Sequence, residues 1–318
     1  MAFNITLERS VAQSCSFHSR TLLDAKYPAI IEDWIHKQTT TLLQLSIQLR
    51  FKMKAIVVSL ADNSADERET VVKFVDHPNP VLHESELLVK VAASPIQPSD
   101  LLNTLGNFPH TTFPRIPGRD FAGVVVEPAS SPWHGKSVYG TSGPELGFTC
   151  DGAHAEFVVV HEDAVAEVPL GMNLKEASVI GVPWTTAYLA LTRANAKKNE
   201  IVLVFGAGGA VGGAVFQLAK SSLFSCRVLT AGRGDKYDID TTKHPDLKIA
   251  KDLTFGKGPD VVVDTTGDFG LMKAGLTQLN QGGRLASEFI LHLKQNHAFD
   301  RFNSYHYWVK FGPYHYER

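Results

Sequence analysis

The feature that most constrains the fold is a glycine-rich turn set between an apolar run and a helical pattern. Residues 201–205 read Ile-Val-Leu-Val-Phe, bounded by Glu200 and Gly206. A strand apolar on both faces is expected in a parallel sheet covered by helices. Gly206-Ala207-Gly208-Gly209-Ala210-Val211-Gly212-Gly213 follows, and Val211, Val215, Leu218 and Ala219 then repeat at helical spacing. Glycines let the chain turn sharply and let a pyrophosphate approach the backbone, while the amides and dipole at the helix N-terminus favour its charge. A strict G-x-G-x-x-G is not met, because Val211 stands in the third glycine position. The strand–turn–helix context still makes Gly206, Gly208, Gly209, Val211 and Gly212 candidate nucleotide-binding positions. The alternative is a tight turn whose glycines serve only helix–strand packing.

The alternation continues around the turn. Leu174 to Ile180 and Trp184 to Ala194 have helical spacing, with Pro183 suited to a first helical turn. Arg227 to Ala231 and Val-Val-Val-Asp at 261–264 predict further strands, 269–279 a helix and the ground near Arg284 a last strand. Strand and helix in turn predict βαβ units and a doubly wound parallel sheet over 172–288. The preceding residues have another texture. Residues 54–60, 71–75, 87–93, 121–126, 136–140 and 156–160 are short β-rich runs separated by Asp, Asn, His and Pro clusters. They predict an antiparallel, barrel-like β domain over 53–171, with one short helix near Ser99 to Leu105. Residues 1–52 form an extension with a helix expected over Ala29 to Gln48, and 289–318 a tail dense in histidine and tyrosine.

Composition narrows the function classes. Lys+Arg total 31 and Asp+Glu 33 in 318 residues, so no basic surplus recommends nucleic acid. No apolar run reaches the roughly 18 residues of a membrane span, so no membrane is expected as partner. The three cysteines, Cys15, Cys150 and Cys226, are too few for a disulfide framework or a four-cysteine zinc lobe. A reducing compartment follows. Arg9 and Arg20 among serines resemble a mitochondrial presequence, but Glu8, Asp24, Glu32 and Asp33 interrupt it, so the cytoplasm is expected over the mitochondrion.

The adenosine end of a dinucleotide site separates its cofactors. NAD-preferring sites hold the ribose with an acid near the end of the second strand. Here that strand ends Thr230-Ala231-Gly232-Arg233-Gly234, with Lys236 nearby and no acid before Asp235. Arg233 and Lys236 could accept a 2′-phosphate through charge-assisted bonds, so NADP(H) is the expected cofactor; the alternative is a solvated loop charge.

A distributed set of motifs adds a resemblance. MKAIVV at 53–58, SPIQPSDLLNTLGNFP at 94–109, FPRIPGRDFAGVVVE at 113–127, DGAHAEFVVV at 151–160, PWTTAYLAL at 183–191, the turn at 201–220, KGPDVVVDTTG at 257–267 and QGGRLA at 281–286 are its parts. Together they resemble the zinc-independent medium-chain dehydrogenases/reductases, in the quinone oxidoreductase-like and enoyl reductase-like branch. The resemblance implies a GroES-like substrate domain and a Rossmann domain, with NADPH-dependent reduction in the cleft between them. It implies a small-molecule substrate (a quinone, an enone or an enoyl thioester) and allows a homodimer. By the same resemblance Thr186 and Tyr188 meet the nicotinamide end, Gln97 and Asp100 lie at the substrate side, and Thr265 and Gly267 join Gly232, Arg233 and Lys236 in holding the cofactor. For Asp100 an N-terminal helix charge is the competing role.

Zinc-dependent relatives place ligands where this chain has Gln97, Arg119 and Val182, none a good ligand for a catalytic zinc. No spacing among His110, His134, His154 and His161 matches a ligand set, so no metal is expected. Two departures weaken a catalytic assignment. Leu102 and Phe108 stand where relatives often carry a tyrosine, and the path from Arg233 to Asp246 is too short for the family's full helix and strand. Residues 287–318 do not resemble the family's closing elements, so an altered end is expected. These departures keep open a second function class, a nucleotide-binding sensor or partner-binding protein without turnover.

Overall fold

The computed structural model describes residues 52–62, 69–141 and 145–287, and the backbone of 308–311. The helix expected over Ala29 to Gln48 lies outside the described residues, as do His292, His297, His306 and His315.

The first half is built from short strands whose side chains alternate between a shared core and solvent. Strands β1 (Lys52–Leu60) and β2 (Thr70–Pro78) pair antiparallel, Lys52 opposite Pro78. A five-stranded antiparallel sheet holds β3 (Glu86–Ala93), β4 (Asp120–Glu127), β5 (Ser137–Thr141), β6 (Phe157–His161) and β7 (Val165–Glu167) in the order β6-β3-β4-β5-β7. Leu87 and Val89 of β3, Phe121 and Val125 of β4, and Val158 and Val160 of β6 fill one buried cluster. Each buried side chain of this kind is worth about 1.5–3 kcal/mol over an exposed one. Bridges Ala55↔Ala155 and Val58↔Arg115 fasten the hairpin to the larger sheet. Helix α1 (Pro98–Thr104) lies between β3 and β4 in the chain, as its position near Ser99 to Leu105 predicts.

Helices α2 (Leu174–Ser178) and α3 (Gly181–Arg193) lead into a six-stranded sheet. Its strands are β8 (Ile201–Phe205), β9 (Arg227–Gly232), β10 (Ile239–Asp240), β11 (Val261–Asp264), β12 (Arg284–Ser287) and β13 (Trp308–Phe311). Their order is β10-β9-β8-β11-β12-β13, the first five parallel and β13 antiparallel to β12. This arrangement explains the uninterrupted apolar run at 201–205. Val202 and Val204 face one cluster with Ala187 and Leu191 of α3 and Ala214 and Val215 of α4 (Ala210–Lys220). Leu203 and Phe205 face the opposite cluster with Ala250 of α5 (Ile249–Asp252) and Leu271 of α6 (Phe269–Gln278). Both faces are covered, so no position on β8 is left for a polar residue.

The sequence pattern sets 289–318 apart from the fold, but the backbone of 308–311 extends the sheet, with Ser287 opposite Trp308. The edge of β12 otherwise presents a row of N–H and C=O groups able to accept such a strand.

The link from β9 to β10 is short, as the spacing from Arg233 to Asp246 predicts. Parallel neighbours ordinarily need a crossover of a dozen or more residues. Residues 233–238 suffice because β10 pairs only with the last two residues of β9, Ile239 opposite Ala231 and Asp240 opposite Gly232. Buried Asp240 holds the link by accepting from Gly234 N (3.0 Å), Thr242 N (3.0 Å) and Thr242 Oγ1 (2.7 Å). The Gly234 amide, then the Thr242 hydroxyl and amide, pull its carboxyl from the ordinary 3.8 down to about 2. A depressed native value means that Asp240 stabilises the fold above about pH 4 and that this contribution is lost as pH falls toward about 2. Asp240→Asn is therefore expected to melt below the wild type at neutral pH and to lose less between those two pH values. A melting series in which the two proteins keep a constant offset throughout would contradict this.

Candidate active site

The strand register brings the nucleotide-site candidates to one level. Phe205 at the end of β8 pairs with Ala231 of β9 on one side and Asp264 of β11 on the other. The glycine turn, Gly232 and Thr265 therefore emerge side by side at the carboxyl ends of the strands, where the order reverses and ligands bind in open α/β sheets. Thr265 Oγ1 donates to Phe205 O (2.8 Å), tying that end of β11 to the turn. Gly212 must lack a Cβ, which would stand 2.2 Å from Gly206 O. Gly209 is the N-cap of α4 and supplies no side-chain cap, so the first-turn amides have no side-chain partner. A helix N-terminus of that kind is suited to an anion. Gly267 completes a loop around Asp264, which is fully buried and accepts from Thr266 N and Oγ1, Gly267 N and Ser287 Oγ.

At the adenosine end, Arg233 and Lys236 are exposed beyond β9. The neighbouring acids bond within their own chain. Asp235 meets Lys243 Nζ (2.5 Å), and Asp238 Oδ2 accepts from Thr230 N and Oγ1, both at 2.8 Å. Tyr237 folds back over the strand end. A Cβ built on Gly208 would stand 2.3 Å from its phenol oxygen, and one on Gly232 would stand 2.5 Å from a ring carbon.

The residues expected at the substrate side gather at Asp120, the first residue of β4. Its carboxylate is fully buried and accepts from Gln97 Nε2 (2.9 Å) and from Val182 N (2.9 and 3.0 Å). Thr141 adds a hydroxyl. Asp100 lies in the first turn of α1 and accepts from Gln97 N (2.8 Å). Gln97 thus bridges two buried carboxyls. Burial pushes both above the ordinary carboxylate range. For Asp100 this is opposed by the Gln97 and Arg119 amides and by the charges of His154 and Arg119. For Asp120 it is opposed by Thr141, Val182 and Gln97 and reinforced by the Asp100 charge. The Arg119 guanidinium packs on the buried Phe148 ring, 5.3 Å from its centroid, beside an edge-on cluster of Phe108 and His110. Burial, then Arg119, lowers the His110 value, which favours its neutral form.

Several expected site residues come together and one does not. Gln97, Asp100 and the amide of Val182 meet at Asp120, while Thr265 and Gly267 flank the turn with Gly206 and Gly212. Thr186, half buried, sits on α3, whose first turn meets Asp120. Tyr188 stands apart from this group. Residues two apart on a helix point roughly 200° apart, so Thr186 and Tyr188 leave different sides of α3. Tyr188 is 45% exposed, and its ring lies edge-on to Phe224, centroids 6.2 Å apart. Phe224 precedes β9, at the end of the sheet opposite the glycine turn. Asp100 uses its carboxylate to cap α1, the competing role weighed for it. Sequence reasoning missed Asp120, Asp264 and Tyr237. An acid heading a strand after Gly-Arg, and another ending a run of three valines, were the available signals for the first two. Among the described residues no group of three or more His, Cys, Asp or Glu is placed to hold a metal ion, and no helix is long and apolar enough to cross a membrane.

Removing the Asp120 carboxylate strands buried donors at Gln97 and Val182, each costing about 1–3 kcal/mol. Asp120→Ala is expected to lose about 2–4 kcal/mol in denaturant titration, with Asp120→Asn recovering part of it. Wild-type stability in Asp120→Ala would refute this role.

Comparison with known proteins agrees with the geometry. Residues 83–170 match the alcohol dehydrogenase GroES-like domain. A zinc-type alcohol dehydrogenase-like protein of Schizosaccharomyces pombe is 49% identical over 209 residues, covering 66% of this chain and 63% of that protein. Quinone oxidoreductase of Lama guanicoe is 32% identical over 222 residues, covering 65% and 64%. The chain thus spans a little under two thirds of the length of these curated relatives. Among solved structures, the quinone oxidoreductase of Thermus thermophilus, described also in complex with NADPH, superposes with a TM-score of 0.59 at 30% identity, covering 73% of this chain and 72% of that one. The GroES-like match, the sheet order about the glycine turn and these relatives together show that the chain belongs to the medium-chain dehydrogenase/reductase superfamily, on its quinone oxidoreductase-like branch.

Proposed function

We propose that the protein is an NADPH-dependent, zinc-independent reductase delivering hydride to a quinone, an enone or another conjugated carbonyl, an enoyl thioester included. The observation that carries this reading is the glycine turn at the switch point of the sheet, with the uncapped start of α4 behind it and exposed Arg233 and Lys236 beyond β9. The turn fits a pyrophosphate by its amides, and Thr265 and Gly267 fit the same ligand from the neighbouring strand end. The preference for a 2′-phosphate rests on charge. Asp235 is paired with Lys243, Asp238 with Thr230 and Asp240 with Gly234, while Arg233 and Lys236 stand exposed beside them.

Two of the three positions that hold zinc ligands in zinc-dependent relatives are turned to another purpose. Gln97 presents its amide N–H and Val182 its backbone N–H to Asp120. Donors cannot coordinate a cation, and the Arg119 guanidinium brings positive charge where a metal would bring its own. The residues present do not fit a catalytic zinc. Bound NADPH would supply the hydride, and the chain's part is to hold donor and acceptor in register and to exclude water. The turn and Thr265 hold the pyrophosphate half, and Thr186 lies toward the junction of the two domains. The charge that builds on the substrate oxygen calls for a donor there, a role open to the Gln97 amide once it rotates from Asp120.

Calorimetry is expected to detect NADPH binding with NADH weaker, and absorbance of the reduced nicotinamide is expected to fall on adding a member of a quinone and enone panel. Nucleotide binding without turnover across the panel would favour a sensor or partner-binding protein. Gly209→Val is expected to melt near the wild type, since a Cβ there stands 3.4 Å from Gly206 O, yet to bind NADPH at least tenfold more weakly. Arg233→Glu with Lys236→Glu is expected to weaken NADPH about tenfold or more and NADH little. Equal losses for both nucleotides would remove the 2′-phosphate reading.

A further inference from the structure

We infer that Tyr237 is a gate on the adenosine half of the nucleotide crevice, closed by its own phenol and opened when the ring swings away from Gly208 and Gly232. The inference rests on the dinucleotide reading of the glycine turn. In this type of sheet the pyrophosphate lies on the turn after the first strand and the ribose beside the end of the second. Gly208 marks the first place and Gly232 the second, and Tyr237 touches both. Positions only a Cβ away from each glycine are 2.3 Å from the phenol oxygen and 2.5–2.7 Å from three ring carbons. Non-bonded heavy atoms settle about 3.5–4.0 Å apart, so no ribose or base fits between this ring and either glycine. In this position Tyr237 is an occupant of the crevice rather than a platform along its wall.

The ring is held there by the link that carries it. Asp238 closes on Thr230 through three hydrogen bonds: two into its Oδ2 and one from its own N–H to Thr230 Oγ1 (3.1 Å). Asp240 fixes Gly234, and Lys243 holds Asp235. Tyr237 N donates to Gly234 O at 3.4 Å, and the Lys236 ammonium lies 5.1 Å from the ring centroid. With both ends of 233–238 fastened, the side chain of Tyr237 can leave the crevice by rotating about its own bonds, while the Asp238 closure limits how far its backbone follows. A ligand that needs the crevice then binds only the open fraction, and its apparent affinity falls by that fraction.

Titration calorimetry and stopped-flow association on the full chain separate the possibilities, with melting curves confirming that each variant is folded. The probes are NADPH, adenosine 2′,5′-bisphosphate for the adenosine half, and nicotinamide mononucleotide for the other half. Tyr237→Ala is expected to bind NADPH and the adenosine bisphosphate about tenfold more tightly, through faster association, and to leave the mononucleotide unchanged. Asp238→Ala, which frees the link without removing the ring, is expected to shift the same two ligands in the same direction, and it decides the matter if Tyr237→Ala does not fold. Weaker or unchanged binding of the adenosine bisphosphate, beside a wild type that binds NADPH, would overturn the gate and leave the reductase reading standing. Failure of the wild type and both variants to bind NADPH or NADH would instead overturn the nucleotide reading and the gate with it.

Discussion

Asp120 fastens three parts of the molecule that the chain order keeps apart. It heads β4, receives the amide of Gln97 from the turn before α1, and receives the backbone N–H of Val182 from the first turn of α3. A carboxylate removed from water costs several kcal/mol unless every lone pair finds a donor. Here the donors come from the barrel on one side and from the helix that opens the second domain on the other. The raised value of Asp120 records that its burial is only partly offset. Satisfying this carboxylate fixes where the first turn of α3 meets the barrel, and with it the position of Thr186 relative to Gln97.

The second domain supplies the other half of the site by a different physical route. No charged group positions the glycine turn. It is set by the register of three parallel strands, so that Phe205, Ala231 and Asp264 end level. Thr265, Gly206 and Gly232 then become neighbours as a consequence of strand length. Asp264 serves the loop as Asp120 serves the junction, holding Thr266, Gly267 and Ser287 about one buried carboxylate. The sheet register and two buried acids thereby present these loops side by side at the carboxyl ends of the strands.

Much of this was legible in the sequence because it is periodic. The switch from alternating runs to strand–turn–helix spacing near residue 172, and the apolar run at 201–205, follow from which faces must be covered. The residues that converge at the site were legible only where a motif fixed them. Gln97, Thr265 and Tyr188 were named that way, and a motif carries spacing but not the side of the helix on which a residue falls, so that Tyr188 points away from Thr186. Asp120 escaped notice because a buried acid is recognised by its donors, and those donors lie far away in sequence: Val182 is separated from Asp120 by 62 positions. Tyr237 had no signal at all, since its place over Gly208 depends on a link too short for the helix usual in the family.

That missing helix has an energetic consequence at the β9 edge. The four residues of β11 are all fully buried, and four of the five in β8 are as well. In β9 only Ala231 is, while Val228, Leu229 and Thr230 are half covered. This edge therefore buries less apolar surface per residue than the centre of the sheet. Local opening draws on the elements with the fewest buried contacts. The segment from β9 through α5 therefore gives way more cheaply than the β8–β11 centre of the sheet. Its hydrogen bonds compensate for lost packing with directional contacts among Thr230, Asp238, Asp240 and Gly234, which hold one geometry without filling a core. A side chain that must vacate a crevice is best carried on such a segment, since its movement disturbs few apolar contacts and leaves the turn and the strand ends in register.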